Sequence, residues 1–255
     1  MKITLIGTGT SQGVPVIGCK CKVCQSDSPK DKRLRTSAVI EWNNHRLVID
    51  TGPDFRTQML RQKIDNIDAI LYTHEHADHT TGLDDIRPLY FKTGVPIPIY
   101  GLSRTLNDLK IRFNYIFTRE NRYPGAPEVL CNPVNPGQQF QINDLNIIPL
   151  DILHGDLPIL GYKLDNFAYL TDVKKIPTNT IKELKNIDLM IINALHQRPH
   201  KMHLNLQEAL ELIEIIQPKR AVLTHISHHM GIHEEISKKL PNNVFLGFDG
   251  MKLNV

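Results

Sequence analysis

The sequence predicts an α/β (α+β) fold, a four-layer αββα sandwich in which two mixed β-sheets lie between outer layers of helices. The chain falls into two strand-rich halves, and each half also supplies helices that can cover a sheet. The hydrophobic content of 41% is enough for a sizeable core, and no linker-like stretch separates the halves. We therefore expect residues 1–255 to form a single domain.

The elements of the first half are predicted from apolar runs bounded by turn residues. Strands are expected at residues 1–7, 37–42, 46–50, 67–71 and 96–100. The prolines in the last of these runs suggest an edge strand. A helix is expected from about Asp54 to Gln62, and another is expected to start within residues 81–87.

The second half repeats this strand-rich character. Strands are expected at residues 139–142, 145–153, 159–164, 167–171, 189–192 and 220–224, with a helix at about 178–185. The clearest helix runs from Asn205 to Ile216, because its apolar residues recur on one face and Pro218 follows its end. Asn205 and Glu208 form a capping-box-like start.

Residues 102–135 are difficult to interpret from the sequence. The segment 112–117 is rich in aromatic residues, which fit core packing, a substrate lid or a subunit contact. Core packing is favoured, since aromatic side chains are mostly buried for their area.

Composition excludes several classes of protein. The formal net charge is only +3, so no broad basic surface for nucleic acid is indicated. No apolar run reaches the roughly 20 residues that cross a bilayer, and the N-terminus does not resemble a signal peptide. We expect a cytoplasmic protein that does not bind membranes.

One stretch is exceptionally dense in potential metal ligands. Directly after the apolar run 67–71 come His74, His76, Asp78 and His79, three imidazoles and a carboxylate within six residues. Neutral imidazole is the commonest metal ligand, and side chains in a tight turn at the end of a strand can converge on a cation. The spacing His-x-His-x-Asp-His therefore predicts a metal site.

This motif resembles the signature of the metallo-β-lactamase superfamily, which it matches without a gap. The resemblance implies the same four-layer sandwich and further ligands at the ends of later strands, in the same order. His154, Asp172 and His225 each follow an apolar run and match those positions. By this resemblance, His74, His76 and His154 hold one metal, Asp78, His79 and His225 hold the other, and Asp172 bridges them.

Such a ligand set leaves open positions on two divalent ions. Two ions about 3.5 to 4 Å apart can hold a hydroxide between them at neutral pH, so hydrolysis is the implied reaction. Imidazole and carboxylate ligands suit Zn²⁺, Mn²⁺, Fe or Ni²⁺, and the order of affinities does not choose among them.

A second cluster comprises Cys19, Cys21 and Cys24, in a small loop at about residues 18–25. Three thiols so close together cannot join distant parts of a fold by disulfides, whereas they can surround one ion. His228 is the candidate for the fourth ligand, giving a closed Cys₃His site for one structural zinc. The alternative is three reduced thiols without a metal.

The cysteine spacing is similar to one branch of the superfamily, the PhnP-like cyclic-phosphate phosphodiesterases linked to phosphonate breakdown by carbon-phosphorus lyase. In that branch the zinc-binding histidine lies three residues after the last catalytic histidine, and His225 and His228 keep that step. The resemblance implies hydrolysis of a small phosphodiester, such as a cyclic ribose phosphate or cyclic nucleotide.

The leaving group of such a reaction needs a proton. Relatives carry a catalytic histidine at the start of the helix that corresponds to residues 205–216, which His203 matches. His200 and the metal-bound Asp78 are the alternative proton donors, and an exposed histidine-rich loop is the plain alternative for this stretch. Asp50 and Asp54 are candidates for supporting the metal-binding histidines, although Asp54 is better explained as a helix cap.

Three other functions compete with this one: a tRNA 3′-end endonuclease, a thioester hydrolase of the glyoxalase II kind, and a zinc-stabilised binding protein. A tRNA endonuclease of the group is expected to carry a long basic arm, which this sequence lacks. A thioester hydrolase would lack the cysteine triplet and His203. The expected partner is therefore a small-molecule phosphodiester rather than nucleic acid, and a homodimer is a further expectation.

Overall fold

The computed structural model describes residues 1–118, 120 and 122–255. Within these residues the strands form two seven-stranded sheets. In spatial order the first sheet contains β14 (Lys252–Asn254), β1 (Lys2–Gly7), β2 (Ser37–Trp42), β3 (His45–Ile49), β4 (Ala69–Leu71), β5 (Ile97–Gly101) and β6 (Val129–Pro133). The second contains β13 (Val244–Leu246), β12 (Arg220–Thr224), β11 (Leu189–Asn193), β10 (Phe167–Leu170), β9 (Leu157–Leu164), β8 (Leu145–His154) and β7 (Phe140–Ile142).

The two sheets share one pattern of strand directions. From β14 to β3 the neighbours are antiparallel, and from β3 to β6 they are parallel. From β7 to β10 they are antiparallel, and from β10 to β13 they are parallel. In each half, therefore, parallel central strands end at one edge of the sandwich.

Helices lie on the outer faces of both sheets and in the connecting loops. They are α1 (Lys22–Gln25), α2 (Phe55–Gln62), α3 (Ala77–Thr80), α4 (Arg87–Thr93), α5 (Ser103–Arg112), α6 (Asn114–Phe117), α7 (Thr178–Glu183), α8 (Leu206–Ile216) and α9 (His233–Ser237), with 3₁₀ turns at Pro29–Asp31 and Leu83–Ile86. One apolar cluster fills the space between the sheets, a second joins the first sheet to α2 and α5, and a third joins the second sheet to α8 and α9. These three apolar layers confirm the predicted four-layer sandwich.

Several local predictions are confirmed. Helix α8 begins with a complete capping box, in which Asn205 accepts from the Glu208 amide and the Glu208 carboxylate accepts from the Asn205 amide. Strand β12 has the predicted bounds. In the segment 112–117, the aromatic residues Phe113, Tyr115 and Phe117 are partly buried and pack against the outer cluster of the first sheet, so core packing explains them.

Two predictions are wrong. Strand β5 lies between β4 and β6 rather than at an edge, because only Pro98 falls within it, and a single missing donor leaves the rest of the ladder intact. Asp54 precedes α2 but makes no capping bond with its side chain. Its carboxylate instead accepts from the backbone amide and the guanidinium of Arg35, at 2.8 and 3.2 Å.

None of the helices in the described part of the chain combines the length and the apolar character that crossing a membrane requires.

Candidate metal centre

The predicted ligands meet at the edge where the central strands of both sheets end. The loop of residues 72–79 follows β4, Asp172 follows β10, and His225 follows β12. His74, His79, Asp172 and His225 are all at least 98% buried. Since β4 is covered on both faces, its sequence is continuously apolar, and the change to polar residues marks the point at which the chain leaves the sheet.

The backbone turns sharply where these side chains enter the site. Asp50, Asp172 and His225 have φ values of 62°, 58° and 54°, in the left-handed region that residues other than glycine rarely adopt. Asp50 and His225 each come immediately after the last residue of a strand, and Asp172 follows two residues after one. Strained backbone of this kind persists where surrounding contacts enforce it and is concentrated at functional sites.

Asp172 lies between two sets of imidazoles. Its Oδ1 atom is 3.4 Å from His79 Nε2 and 3.2 Å from His225 Nε2. Its Oδ2 atom is 3.9 Å from both His74 Nε2 and His203 Nδ1. One oxygen thus faces each set, which is the geometry that a carboxylate shared by two cations requires.

Asp78 completes one of these sets. Its Oδ2 atom is 3.3 Å from His79 Nε2 and 3.6 Å from His225 Nε2, so these three residues alone can surround a cation. This grouping coincides with the one that the family resemblance implies.

Hydrogen bonds on the far side of each ring select the nitrogen that faces the site. His79 Nδ1 donates to Asp50 at 2.7 Å, and His154 Nδ1 donates to the carbonyl of Met202 at 2.9 Å. Thr73 Oγ1 donates to Asp50 and therefore accepts from His74 Nδ1, at 2.9 Å. In each neutral ring the Nε2 lone pair then points into the cluster, as a metal ligand requires.

Several of these inward nitrogens are buried without a hydrogen-bond partner among the described residues. They are Nε2 of His74, Nε2 of His79, Nδ1 of His203 and both ring nitrogens of His225. Buried polar atoms are normally paired, and each unpaired one costs on the order of 1 to 3 kcal/mol. Divalent cations would satisfy the nitrogens that converge here, so the residues fit the metals that the fold family implies.

The charges of the cluster are strongly coupled. Burial alone would raise the pKa of Asp172, but the imidazoles of His225 and His79 hold it well below its usual range. The pKa of Asp78 is likewise lowered, since His79 outweighs the effect of burial. Burial lowers the pKa of His74, whereas facing carboxylates raise that of His79 against burial. The carboxylates of the centre are therefore ionised and face imidazoles, and this arrangement of charge favours the binding of cations.

His76 and His203 lie at the more open side of the cluster. The exposed His76 ring is 4.6 Å from the His74 ring and 5.2 Å from the His154 ring. The His203 ring is 4.6 Å from that of His154 and stacks 4.9 Å from that of His225. Ligand atoms of His154, Asp172 and His203 also lie within 4.8 Å of one another, so His203 lies beside two of the predicted metal ligands.

Asp50 supports two rings of the centre. It is fully buried, binds His79 directly, and reaches His74 through the hydroxyl of Thr73. Its contacts are those of a group that orients metal ligands, whereas Asp54 contacts only Arg35 among the interactions of its carboxylate in the described chain. The amide of Thr73 also donates to Asp50, at 2.8 Å.

The sequence did not predict that helix α5 supports the ligand loop, residues 72–79. Glu75, between the two first histidines of the motif, accepts from Thr105 at 3.1 Å and forms an ion pair with Arg104 at 2.8 Å. Arg112 donates to the Glu75 carbonyl at 2.7 Å. Helix α5 thus holds the ligand loop through both the side chain and the backbone carbonyl of Glu75. In the sequence, Glu75 occupies an unspecified position of the His-x-His-x-Asp-His motif. A charged residue at such a position does not indicate which residues it contacts.

Backbone packing also fixes the loop that carries Asp78. A Cβ atom on Gly52 would lie 2.2 Å from the carbonyl oxygen of Asp78, so only glycine allows this approach. The glycine-rich turn 7–13 runs beside His225, since the Ile226 amide donates to the Thr8 carbonyl and the Thr10 amide donates to the Ile226 carbonyl. The turn therefore lies next to the loop that carries His225.

The cysteine cluster lies on the other side of the β12 loop. The sulfur atoms of Cys19, Cys21 and Cys24 are 3.3, 3.4 and 3.6 Å from Nδ1 of His228. The Cys24 amide donates to Cys21, which lowers the pKa of that thiol to about 6, whereas burial raises the pKa of Cys24 to about 11. Three sulfurs converging on one imidazole nitrogen fit a tetrahedral zinc site.

This fold and this ligand cluster are those of the metallo-β-lactamase superfamily. Residues 45–226 match the model of the β-lactamase superfamily domain. A crystal structure described as a new diphosphatase from the PhnP family is 40% identical, has a TM-score of 0.92, and matches 99% of this chain and 96% of its own. The chain belongs to the PhnP family.

Curated relatives carry other names. A Porphyromonas gingivalis protein named octanoyltransferase is 42% identical over 254 residues, covering 99% of this chain and 51% of that protein. The chain therefore spans about half the length of this relative. A ribonuclease Z of Borrelia duttonii is 26% identical over 306 aligned positions, covering 88% of this chain and 92% of the ribonuclease.

Proposed function

We propose that the chain is a binuclear-metal-dependent phosphodiesterase that hydrolyses a small phosphodiester, such as a cyclic ribose phosphate or cyclic nucleotide. The observation that carries the proposal is the position of Asp172 between two sets of inward-facing imidazoles, with His203 beside it. Two divalent cations, when bound, supply a nucleophile at neutral pH and stabilise charge developing on phosphorus. Zn²⁺, Mn²⁺, Fe and Ni²⁺ all suit these ligands.

The proposed ligand roles follow the two sets. By the family resemblance, His74, His76 and His154 would hold one ion, Asp78, His79 and His225 would hold the other, and Asp172 would be shared between them. Asp50 keeps the rings of His79 and His74 oriented. Separately, Cys19, Cys21, Cys24 and His228 hold a structural zinc.

His203 is the proposed donor of a proton to the leaving oxygen, with His200 and Asp78 as the alternatives. Burial and the His225 ring lower the pKa of His203 to about 3, so the free enzyme holds this ring neutral. An anionic substrate oxygen beside the ring would raise the pKa of His203, as the carboxylate of Asp172 already does. Substrate binding would therefore favour the protonated donor at the place where it is needed.

A diphosphatase is the second candidate function. It is favoured by the 40% identity to a PhnP-family protein described as a diphosphatase. Attack on a phosphodiester and attack on a phosphoric anhydride are the same displacement at phosphorus and differ in the leaving group. The same centre therefore suits both.

Two other functions receive less support. The alignment with the ribonuclease Z extends over 306 positions although it covers only 88% of this 255-residue chain, so the ribonuclease carries insertions that this chain lacks. This favours a small substrate over tRNA. The name octanoyltransferase belongs to a protein of which the chain matches about half, so we do not propose acyl transfer as an activity of this chain.

The class of substrate is tested with one metal-loaded sample. We expect hydrolysis of bis(p-nitrophenyl) phosphate and of a 2′,3′-cyclic nucleotide at rates well above those for an acyl thioester. Preferential thioester cleavage would contradict the proposal. Light scattering on the same sample tests the separate prediction of a homodimer.

The role of His203 is tested by His203→Ala on two phosphodiesters with different leaving groups. If His203 protonates the departing oxygen, a substrate that leaves as an alkoxide should lose about 10²- to 10⁴-fold in kcat, the usual range for general acid catalysis. A p-nitrophenolate leaving group needs no proton, so its hydrolysis should fall far less.

The control for this variant is its metal content, which should stay unchanged if His203 is not a ligand. Equal losses on both substrates would instead mean that His203 holds a phosphate oxygen. Loss of a catalytic metal would place it in the ligand set with His154 and Asp172.

A further inference from the structure

A chain of imidazoles leads away from the metal centre along the loop that precedes α8. The His203 and His200 rings are 5.2 Å apart, and the His200 and His196 rings are 5.7 Å apart. The His196 ring is in turn 6.2 Å from that of His229. His196 and His200 are half-buried, and the proposed function gives neither of them a role as first choice.

The hydrogen bonds of these two rings are the reverse of those in the metal centre. The Arg198 amide donates to His196 Nδ1, and the Met202 amide donates to His200 Nδ1, both at 3.2 Å. A nitrogen that accepts carries no proton, so the hydrogen of each neutral ring lies on Nε2. In the neutral rings of His79 and His154 the hydrogen lies on Nδ1 and the Nε2 lone pair is free.

This reversal separates the histidines by chemistry. A ring with a free Nε2 lone pair binds a cation, whereas a ring with an Nε2 hydrogen donates a hydrogen bond to an anion. Among the interactions of the described residues, no protein oxygen accepts from Nε2 of His196 or His200. The pair therefore offers two free donors, His200 one ring-to-ring step from His203 and His196 one step beyond it.

The surroundings also favour an anion. After burial, the groups that act most strongly on the pKa of His200 are His196, Lys174, His154 and His225, and all of them lower it. No carboxylate is among them. The basic side chains of Arg198 and Lys201 belong to the same loop.

We propose that His196 and His200 bind the phosphoryl group that adjoins the one under attack when the substrate contains a diphosphate. This deepens the second candidate function, that of a diphosphatase, and rests on the metal-dependent attack at phosphorus proposed above. With the attacked phosphoryl group beside Asp172 and His203, the next group along a diphosphate lies toward His200 and His196. A simple diester presents no anionic group there.

The test measures binding rather than turnover. Methylenediphosphonate, which has no cleavable bridge, and orthophosphate are titrated calorimetrically into the metal-loaded enzyme. The wild type should bind methylenediphosphonate more tightly than orthophosphate. The double variant His196→Ala/His200→Ala should weaken methylenediphosphonate about 10- to 100-fold, the effect of losing one or two hydrogen bonds to a charged group. Its affinity for orthophosphate should change less than about twofold.

Three controls separate this role from a structural one. His196→Ala/His200→Gln restores a side-chain N–H donor at one position and should recover part of the lost affinity. His45→Ala removes an imidazole at the β2–β3 turn, where the ring contacts Asp68 and Asn143, and should change neither ligand. Metal content, measured after each titration, should equal that of the wild type.

An equal loss for both ligands, or no loss for either, would overturn the proposal. So would a wild type that binds methylenediphosphonate no more tightly than orthophosphate. Either result leaves phosphodiester hydrolysis itself standing if the wild type cleaves bis(p-nitrophenyl) phosphate, so failure of this inference is distinguishable from failure of the proposed function.

Discussion

The two candidate metal sites share one loop but are built in different ways. His225 and His228 are three residues apart after β12, and one faces the buried centre while the other faces the cysteine cluster. The centre has buried imidazoles and carboxylates, left-handed backbone at its ligands, and supporting hydrogen bonds from Asp50. The cysteine site lies in a surface loop around a small apolar cluster of Val14, Val23 and Cys24.

The difference shows which site the fold creates by itself. The ligands of the buried centre are fixed by the ends of core strands, so their geometry depends on the sandwich rather than on the ions. The loop at residues 18–25 has little core of its own, and only its ion can hold three thiolates together. We therefore expect loss of a catalytic metal to remove activity, and loss of the structural zinc to lower stability.

The largest expected effect comes from the carboxylate between the two sets of imidazoles. Asp172→Ala should abolish turnover, because Asp172 is the one carboxylate among the described residues whose two oxygens face both sets. Elemental analysis should still find the cysteine-bound zinc, and circular dichroism should show an intact fold. Retention of both catalytic metals with near-normal kcat would show that the ligand assignment is wrong.

The opposite result is expected at the cysteine site. Cys21→Ser should remove about one zinc per chain and lower Tm by about 4 to 8 °C, the shift that a loss of about 2 kcal/mol gives in a chain of this size. Residual activity per folded molecule should stay close to normal. Cys131→Ser is the matched control, since Cys131 lies in β6 away from the cluster and should leave zinc content unchanged.

A smaller effect should follow from the residue that orients the rings. Asp50→Asn keeps the size of the side chain but removes its charge, and should weaken catalytic metal binding or activity about 10- to 100-fold. Competition with a chelator measures the metal affinity. An unchanged affinity together with unchanged kcat would refute the orienting role, and the structural zinc should be unaffected in either case.

The sequence predicted most of the fold because its strands carry their own signals. Continuous apolar runs identified β4, β10 and β12, and the density of ligands after them located the centre. Short or half-exposed elements lacked such signals: β6, β13 and β14 have three to five residues each and owe their place to pairing with longer strands. Prolines near β5 suggested an edge because the neighbouring β6 was not recognised.

Within the site, the sequence identified residue types but not their hydrogen bonds. The difference between His154 and His200 depends on whether Nδ1 donates to a carbonyl or accepts from an amide. His154 ends strand β8 and His200 lies in the loop before α8, and neither position in the sequence reveals the hydrogen bond of the ring. The left-handed backbone of Asp172 and His225 is likewise set by tertiary contacts. The contact between α5 and Glu75 joins residues about 30 positions apart, and no pattern along the chain encodes it.

The smallest expected effect tests that last contact. Arg112→Met retains the length of the side chain and removes its hydrogen bond to the Glu75 carbonyl, which is worth about 1 kcal/mol, or roughly fivefold in an equilibrium constant. Catalytic metal affinity should fall by about 2- to 10-fold, because Glu75 lies between His74 and His76, while the affinity of the cysteine site should stay constant. Lys110→Met, an exposed residue of the same helix, is the control and should change neither site. If both sites weakened together, α5 would support the whole fold; a change confined to the buried centre would establish it as a brace for that centre alone.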